Sequence, residues 1–205
     1  MGAAEDFEAC IAAGGVAVFP SDTVYGLACD PESAAAVERL YALKGRPPDK
    51  PSAVRFFDAG LAVAALPELG ERTRALMARL LPGGVTLLLP NPRGRFPLAG
   101  GSGLGLRVPE VPLLAGARCV VLQSSANVTG GPDARRIEEV PSAIRAGADL
   151  VLDAGELPGT PSTVVDLRAF EDTGEWSIVR AGAVPSTTIA EAARMSSRPR
   201  IPRSS

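Results

Sequence analysis

Val16-Ala17-Val18-Phe19-Pro20-Ser21-Asp22-Thr23-Val24-Tyr25-Gly26-Leu27 changes character twice in a short span. The apolar run from Val16 to Phe19 has the length of a strand, and Pro20 stops it because proline has no N–H to give a ladder. A polar turn, Ser21-Asp22-Thr23, follows, and Val24 to Leu27 turns apolar again. Pro31 to Leu43 then reads as a helix, with Asp30 as N-cap and Pro31 at the first helical position. Its apolar face is Val37, Leu40 and Tyr41. Strand, polar turn and helix in succession are the unit of an α/β protein.

Working outward, the same grammar recurs. Glu5 to Ala13 reads as a short helix ended by Gly14-Gly15. Ser52 to Phe57 has strand length, and Leu69, Thr73, Leu76 and Leu80 recur at helical spacing until Pro82-Gly83-Gly84. Strands are expected at Val85–Leu89, Leu104–Val108, Cys119–Leu122, Leu150–Leu152, Thr163–Leu167 and Ser177–Arg180. Arg135 to Ala146 is expected to be helical despite Pro141, and a last helix to run from Thr187 to Met195. This alternation predicts an α/β fold with a twisted, mostly mixed β-sheet and flanking helices, in one domain over residues 1–195. Residues 196–205, rich in Ser, Arg and Pro, are expected to form a disordered tail.

Composition excludes several function classes. A chain of 205 residues with 46% apolar and 21% charged residues can bury a proper core. Its formal net charge of −2 does not suit a protein that mainly coats nucleic acid, though it leaves room for a local basic patch. Cys10, Cys29 and Cys119 are widely separated and have neither metal-ligand nor disulfide-framework spacing. The first residues lack a basic n-region, and no apolar stretch reaches about 18 residues. A cytoplasmic protein without a membrane partner is therefore expected. There is no histidine. That removes Ser-His-Asp and Cys-His catalysis and histidine-ligated zinc.

Five polar loops fall at strand ends, where open α/β sheets bind ligands. Pro20 to Gly26 is either a plain turn or a loop that presents its hydroxyls, Thr23 among them, and backbone amides to a small polar ligand. In Lys44-Gly45-Arg46-Pro47-Pro48-Asp49-Lys50-Pro51, cations suit a helix C-terminus. Lys44, Arg46 and Lys50 nevertheless repel one another unless an anion joins them, and a polyphosphate is the natural candidate. Arg55 lies just beyond. Arg107, before Pro109, suits either a surface ion pair or a substrate carboxylate. Ser124-Ser125-Ala126-Asn127, followed by Gly130-Gly131, suits either a capped turn or close approach to a ligand. Ser162, in Thr160 to Asp166, and Arg180, one strand later, complete the set. Neither a G-x-x-x-x-G-K-[ST] loop nor a G-x-G-x-x-G fingerprint is present, so a nucleotide would have to be held by scattered basic residues.

Taken in order, seven stretches resemble the YrdC-like family of threonylcarbamoyl-AMP synthases. They are Pro20 to Leu27, Lys44-Gly45-Arg46-Pro47 with Asp49-Lys50-Pro51, Pro82 to Thr86, Leu106 to Pro109, Ser124 to Asn127 with Gly130, Ser162 to Asp166, and Arg180-Ala181-Gly182. The resemblance implies a YrdC-like sheet around a basic concave cavity. It implies synthesis of threonylcarbamoyl-AMP from L-threonine, bicarbonate and ATP, with release of pyrophosphate, for the threonylcarbamoyladenosine modification of tRNA. It puts Lys44, Arg46 and Lys50 on the phosphates, and Ser125, Asn127 and Arg180 on the nucleotide. It puts Thr23, Arg55, Arg107, Ser125 and Ser162 on threonine or bicarbonate. Mg2+ is expected with ATP, with no protein metal ligand assigned. The implied partners are tRNA or double-stranded RNA and a downstream threonylcarbamoyl-transferase machinery. The pattern departs from the family at Gly103, beside Ser102, where a hydroxyl residue often stands, and at Asp133, where a small hydroxyl is common. The chain is expected to correspond to the short, single-domain form. The alternatives are an RNA-binding module without nucleotidyl transfer and a related carbamoyl-adenylate-forming enzyme.

Overall fold

The computed structural model describes residues 2–47, 50–100 and 103–196. Of the expected disordered tail 196–205, Ser196 instead ends the last helix, with its hydroxyl bonded to Ala192 O at 2.8 Å, and residues 197–205, together with Pro48, Asp49, Gly101 and Ser102, lie outside the described residues. The helices are α1 (Ala3–Ala12), α2 (Ala34–Lys44), α3 (Ala59–Ala65), α4 (Glu71–Leu80), α5 (Ser142–Gly147), α6 (Phe170–Thr173) and α7 (Ser186–Ser196). The strands are β1 (Ala17–Pro20), β2 (Tyr25–Cys29), β3 (Ala53–Arg55), β4 (Val85–Pro90), β5 (Gly103–Arg107), β6 (Val121–Ser125), β7 (Leu150–Val151), β8 (Thr163–Asp166) and β9 (Ser177–Arg180).

The strands join in a single mixed sheet of order β7-β1-β2-β6-β3-β5-β4-β8-β9. The pairs β1–β7, β3–β5 and β4–β8 are parallel and the others antiparallel. The expected α/β class and mixed sheet are therefore found. The two faces of the sheet differ, because side chains alternate along a strand. Val54, Val85, Leu87, Leu89, Leu104, Leu106 and Val165 enter the main core. Helix α4, which packs on α6 and α7, belongs to that core through Leu76, Met77 and Leu80. At one end of the sheet the other face is covered too. Ala17 and Phe19 of β1, Ala28 of β2 and Val121 of β6 join Phe7 and Ile11 of α1 in a second cluster. Double coverage explains why β1 is a continuous apolar run.

Several expected boundaries move, each for a local reason. Helix α2 begins at Ala34 and is capped by Ser33, which accepts from Ala36 N at 3.3 Å. Asp30 instead accepts from Glu32 N at 2.9 Å, an Asx turn that holds Pro31 outside the helix. Strand β6 lies later than Cys119–Leu122, because Ser124 and Ser125 pair with Leu27 and Gly26. The expected helix over Arg135–Ala146 is broken. A 3-10 turn spans Ile137–Glu139, and α5 starts only after Pro141. The strand β2 and the helices α3 and α6 are additions to the sequence-derived elements.

Gly182 fixes how the end of the sheet meets the loop before β8. A Cβ there would lie 2.2 Å from Pro161 O and 2.5 Å from Ser162 C. The contact is with backbone, which cannot yield as a flexible side chain can. Gly182→Ala is therefore expected to cost about 1–3 kcal/mol, as overpacking does. At roughly 2–4 °C per kcal/mol for a chain of this size, calorimetry would register the loss as a lowered Tm.

Candidate functional site

The uncovered part of the second face carries a cavity of about 460 Å³. Its floor is the alternate set of residues on the central strands: Ala53 and Arg55 of β3, Gly103, Gly105 and Arg107 of β5, and Thr86 and Leu88 of β4. Gly105 presents no side chain, which leaves room above the sheet. At Gly103 a Cβ would meet Leu89 O at 2.9 Å and the Arg168 stem at 3.0 Å. A hydroxyl residue would therefore not fit at 103 unless its neighbours shifted.

The parallel register of β3 and β5 sets Arg55 opposite Arg107. Both are almost fully buried, at 2% and 3% exposure. Arg107 Nη2 donates to Asp22 Oδ1, and its Nη1 donates to Thr23 Oγ1 at 3.2 Å. Arg55 Nη1 donates to Ser21 Oγ at 2.7 Å, and that hydroxyl donates to Asp22 Oδ1 at 2.8 Å. One carboxylate thus serves two guanidiniums, and Nε of each arginine has no hydrogen-bond partner among the described residues. Burial, and then the neighbouring Arg107, pull the Arg55 guanidinium well below its ordinary range, while Asp22 opposes the shift. Arg107 is also lowered by burial, with Asp22 working against it. Two cations and one anion at the edge of a cavity leave a positive charge that a bound anion would neutralise.

The opposite wall is built on Lys44. Gly45, at φ 61, adopts the left-handed conformation that ends α2, and Arg46 N closes the turn on Tyr41 O at 2.9 Å. Lys44, 3% exposed, does not line the cavity; its ammonium is taken up behind the lining by the end of β6 and the loop that follows. Its Nζ donates to Ser125 O at 2.7 Å, to Asn127 O at 2.9 Å and to Asn127 Oδ1. Burial, with Arg46 adding to it, lowers the Lys44 ammonium to about 8. Asn127 Nδ2 in turn donates to Gly131 O at 2.6 Å. Lys44 and Asn127 therefore brace the loop and leave Ser125 facing the cavity. Arg46 also lines the cavity, while its guanidinium donates to Lys50 O at 3.3 Å and to Pro51 O. Lys50 is exposed and does not line the cavity.

Ser162 bridges to the third wall. Its Oγ lies 2.8 Å from Thr86 Oγ1, and Arg180 Nη2 donates to Ser162 O at 2.9 Å. Of the residues singled out from sequence, Thr23, Arg46, Arg55, Arg107, Ser125, Ser162 and Arg180 line one cavity. Lys44, Lys50 and Asn127 stand behind or beside it. Sequence reasoning assigned no role to Asp22, which with Ser21 joins the two arginines, or to Thr86, Gln123 and Arg168, which line the cavity. Thr86 and Gln123 each interrupt an apolar strand, which is the signal that could have found them. Among the described residues, no group of three or more His, Cys, Asp or Glu could hold a metal ion, and no helix is long and apolar enough to cross a membrane.

Comparison with known proteins gives a consistent result. The Sua5/YciO/YrdC family model, described as "Telomere recombination", matches residues 9–182. The threonylcarbamoyl-AMP synthase of Bacillus subtilis is 32% identical over 158 residues, which are 73% of this chain and 46% of that protein. The threonylcarbamoyl-AMP synthase of Chromohalobacter salexigens is 34% identical over 174 residues, 81% of this chain and 93% of that protein. The crystal structure of Pyrococcus abyssi Sua5 complexed with L-threonine superposes with a TM-score of 0.79 at 26% identity. That match covers 91% of this chain and 56% of the Sua5 chain. The chain thus spans about half the length of the Bacillus and Pyrococcus proteins and nearly all of the Chromohalobacter one.

The shared carboxylate yields a stability prediction. Asp22→Asn leaves two buried guanidiniums without a counter-charge, and breaking such a pair costs about 3–5 kcal/mol. Urea denaturation should show that loss, partly recovered when a small carboxylate such as acetate is added. Wild-type stability in the variant would mean that Asp22 does not compensate the two arginines.

Proposed function

The chain belongs to the Sua5/YciO/YrdC family, and on that premise we propose that it makes threonylcarbamoyl-AMP from L-threonine, bicarbonate and ATP. The observation that carries the proposal is the positive charge that Asp22 leaves unbalanced on Arg55 and Arg107, beside a cavity with Arg46 on one wall and Arg180 on another. Such a site favours two anionic groups at once, a carboxylate and a phosphate chain. An amino acid and a nucleotide supply that pair.

The chemistry does not need histidine. The deprotonated threonine amine takes up the carbon of bicarbonate, water leaves, and a carbamate forms. A carbamate oxygen attacks the α-phosphorus of ATP, and the bond to pyrophosphate breaks. The nucleophile comes from the substrate, so the protein has to position two reactants and stabilise developing charge. Arg107 is assigned to the threonine carboxylate, whose geometry suits a guanidinium fork. Thr23, Arg55, Ser125 and Ser162 complete the threonine and bicarbonate side. Arg46 and Lys50 are assigned to the phosphates, and Ser125 and Arg180 to the nucleotide. Lys44 and Asn127 serve the nucleotide by fixing the loop that carries Ser125. A magnesium ion bound with ATP supplies charge neutralisation on the phosphates. The product class, an activated carbamoyl group, suits transfer to an amino group of tRNA by a separate transferase machinery.

The test is pyrophosphate release by purified protein, with mass detection of the adenylate. Release should require both threonine and bicarbonate, and release that ignores either one contradicts the proposal. Arg46→Ala and Lys50→Ala should each slow the reaction at least tenfold, about 1.4 kcal/mol of transition-state stabilisation. Arg107→Lys, which keeps the charge but loses the fork, should raise KM for threonine at least tenfold while the KM for ATP changes little.

A further inference from the structure

Among the described residues, the charged lining of the cavity consists of Arg46, Arg55, Arg107, Arg168, Arg180 and one carboxylate, Asp133. Arg107 and Arg168 have carboxylates of their own, Asp22 and Asp166, and neither of these lines the cavity. Asp133 is different. It faces the cavity, and among the described residues no lysine or arginine lies within ion-pair distance of it, the Lys44 ammonium behind the loop feeling its charge only from farther off. Its side chain accepts one hydrogen bond, from Asn127 Nδ2 to Oδ1, at 3.3 Å. The donor is fixed elsewhere, because Asn127 Nδ2 also bonds Gly131 O at 2.6 Å and Asn127 Oδ1 accepts from Lys44 and Ser125. Asp133 therefore sits at the end of a braced loop, on the wall shared with Arg46 and Ser125, with most of its acceptor capacity unused.

A carboxylate in that position opposes any phosphate brought to Arg46. Repulsion between like charges in a partly buried cavity is relieved if a cation stands between them. Magnesium takes hard oxygen ligands, typically one or two carboxylates completed by substrate phosphates and water, so a lone carboxylate beside a phosphate site has the right donor chemistry. We propose that Asp133 supplies a protein oxygen ligand to the divalent cation that accompanies the nucleotide phosphates. The proposal rests on the nucleotide-binding reading of the cavity. It turns Asp133 from an obstacle into a reader of the metal-loaded nucleotide.

Asp133→Asn removes the charge and keeps Oδ1 as acceptor for Asn127, so the loop has no reason to unfold. Calorimetric titration of a non-hydrolysable ATP analogue, with Mg2+ and with a chelator, gives four affinities. In the wild type, Mg2+ should tighten binding at least tenfold. In the variant, the metal-free analogue should bind several-fold more tightly than in the wild type, and the gain from Mg2+ should shrink at least fivefold. With Mn2+ and the analogue, the electron paramagnetic resonance signal of protein-bound Mn2+ should differ between the two proteins. Equal weakening of the metal-free and metal-loaded analogues would assign Asp133 to ribose or base and overturn the proposal. Affinities identical to the wild type in both conditions would overturn it as well. Failure of the wild type to bind the analogue under either condition would remove the nucleotide reading itself, and this inference with it.

Discussion

Asp22 holds the site together, because two buried guanidiniums converge on it, Arg107 directly and Arg55 through the Ser21 hydroxyl. The convergence follows from backbone geometry. Strands β3 and β5 run parallel with Arg55 opposite Arg107, so two like charges become neighbours on one face of the sheet. Such a pair persists only where a counter-charge and hydrogen bonds offset the cost of removing the ions from water. Asp22 provides part of that compensation, and among the described residues Nε of both arginines is left without a partner. The cavity is thus incomplete as an electrostatic object until an anion enters it. The folded state holds the charge in place before substrate arrives, which is the preorganisation on which charge stabilisation depends.

The second wall uses a cation differently. Lys44 is spent on backbone and amide oxygens, so its charge organises the loop from Ser125 to Asp133 rather than meeting solvent. Arg46, two residues on, is turned back to the cavity by the left-handed Gly45. Neighbouring cations in one short segment therefore have unlike roles, one structural and one open to ligand. Gly103 and the Arg168 stem make a similar division, since the space that a side chain at 103 would take is filled from β8's end of the sheet.

Much of the fold was legible because it is written in local signals. The Gly45 terminus of α2, the alternation in β4 and the strand β9 all follow from short-range pattern. Errors arose where two local devices competed. Asp30-Pro31 has the chemistry of a helix start, yet Ser33 lies closer to the apolar-periodic residues and caps the helix. The segment from Ala59 to Ala65 is apolar without helical periodicity, and the Asp58 cap at Leu61 N is its clearest mark. In the site, the loops announced most residues that line the cavity. What no window of sequence could give was the register. Residues 21–23, 55 and 107 are far apart in the chain; the pairing of β3 with β5 sets Arg55 beside Arg107, and the pairing of β6 with both β2 and β3 brings the turn that carries Asp22 to them. The direction of the Lys44 ammonium was hidden for the same reason, since its acceptors lie some eighty positions away.

The central claim is that the positive charge left over by Arg55, Arg107 and Asp22 receives the carboxylate of an amino acid. Isothermal titration of the wild-type protein with L-threonine and with L-threoninol, which lacks the carboxylate, tests that claim directly. The account predicts that L-threonine binds and that L-threoninol binds at least tenfold more weakly. Equal affinity for the two, or no binding of L-threonine at all, would contradict it.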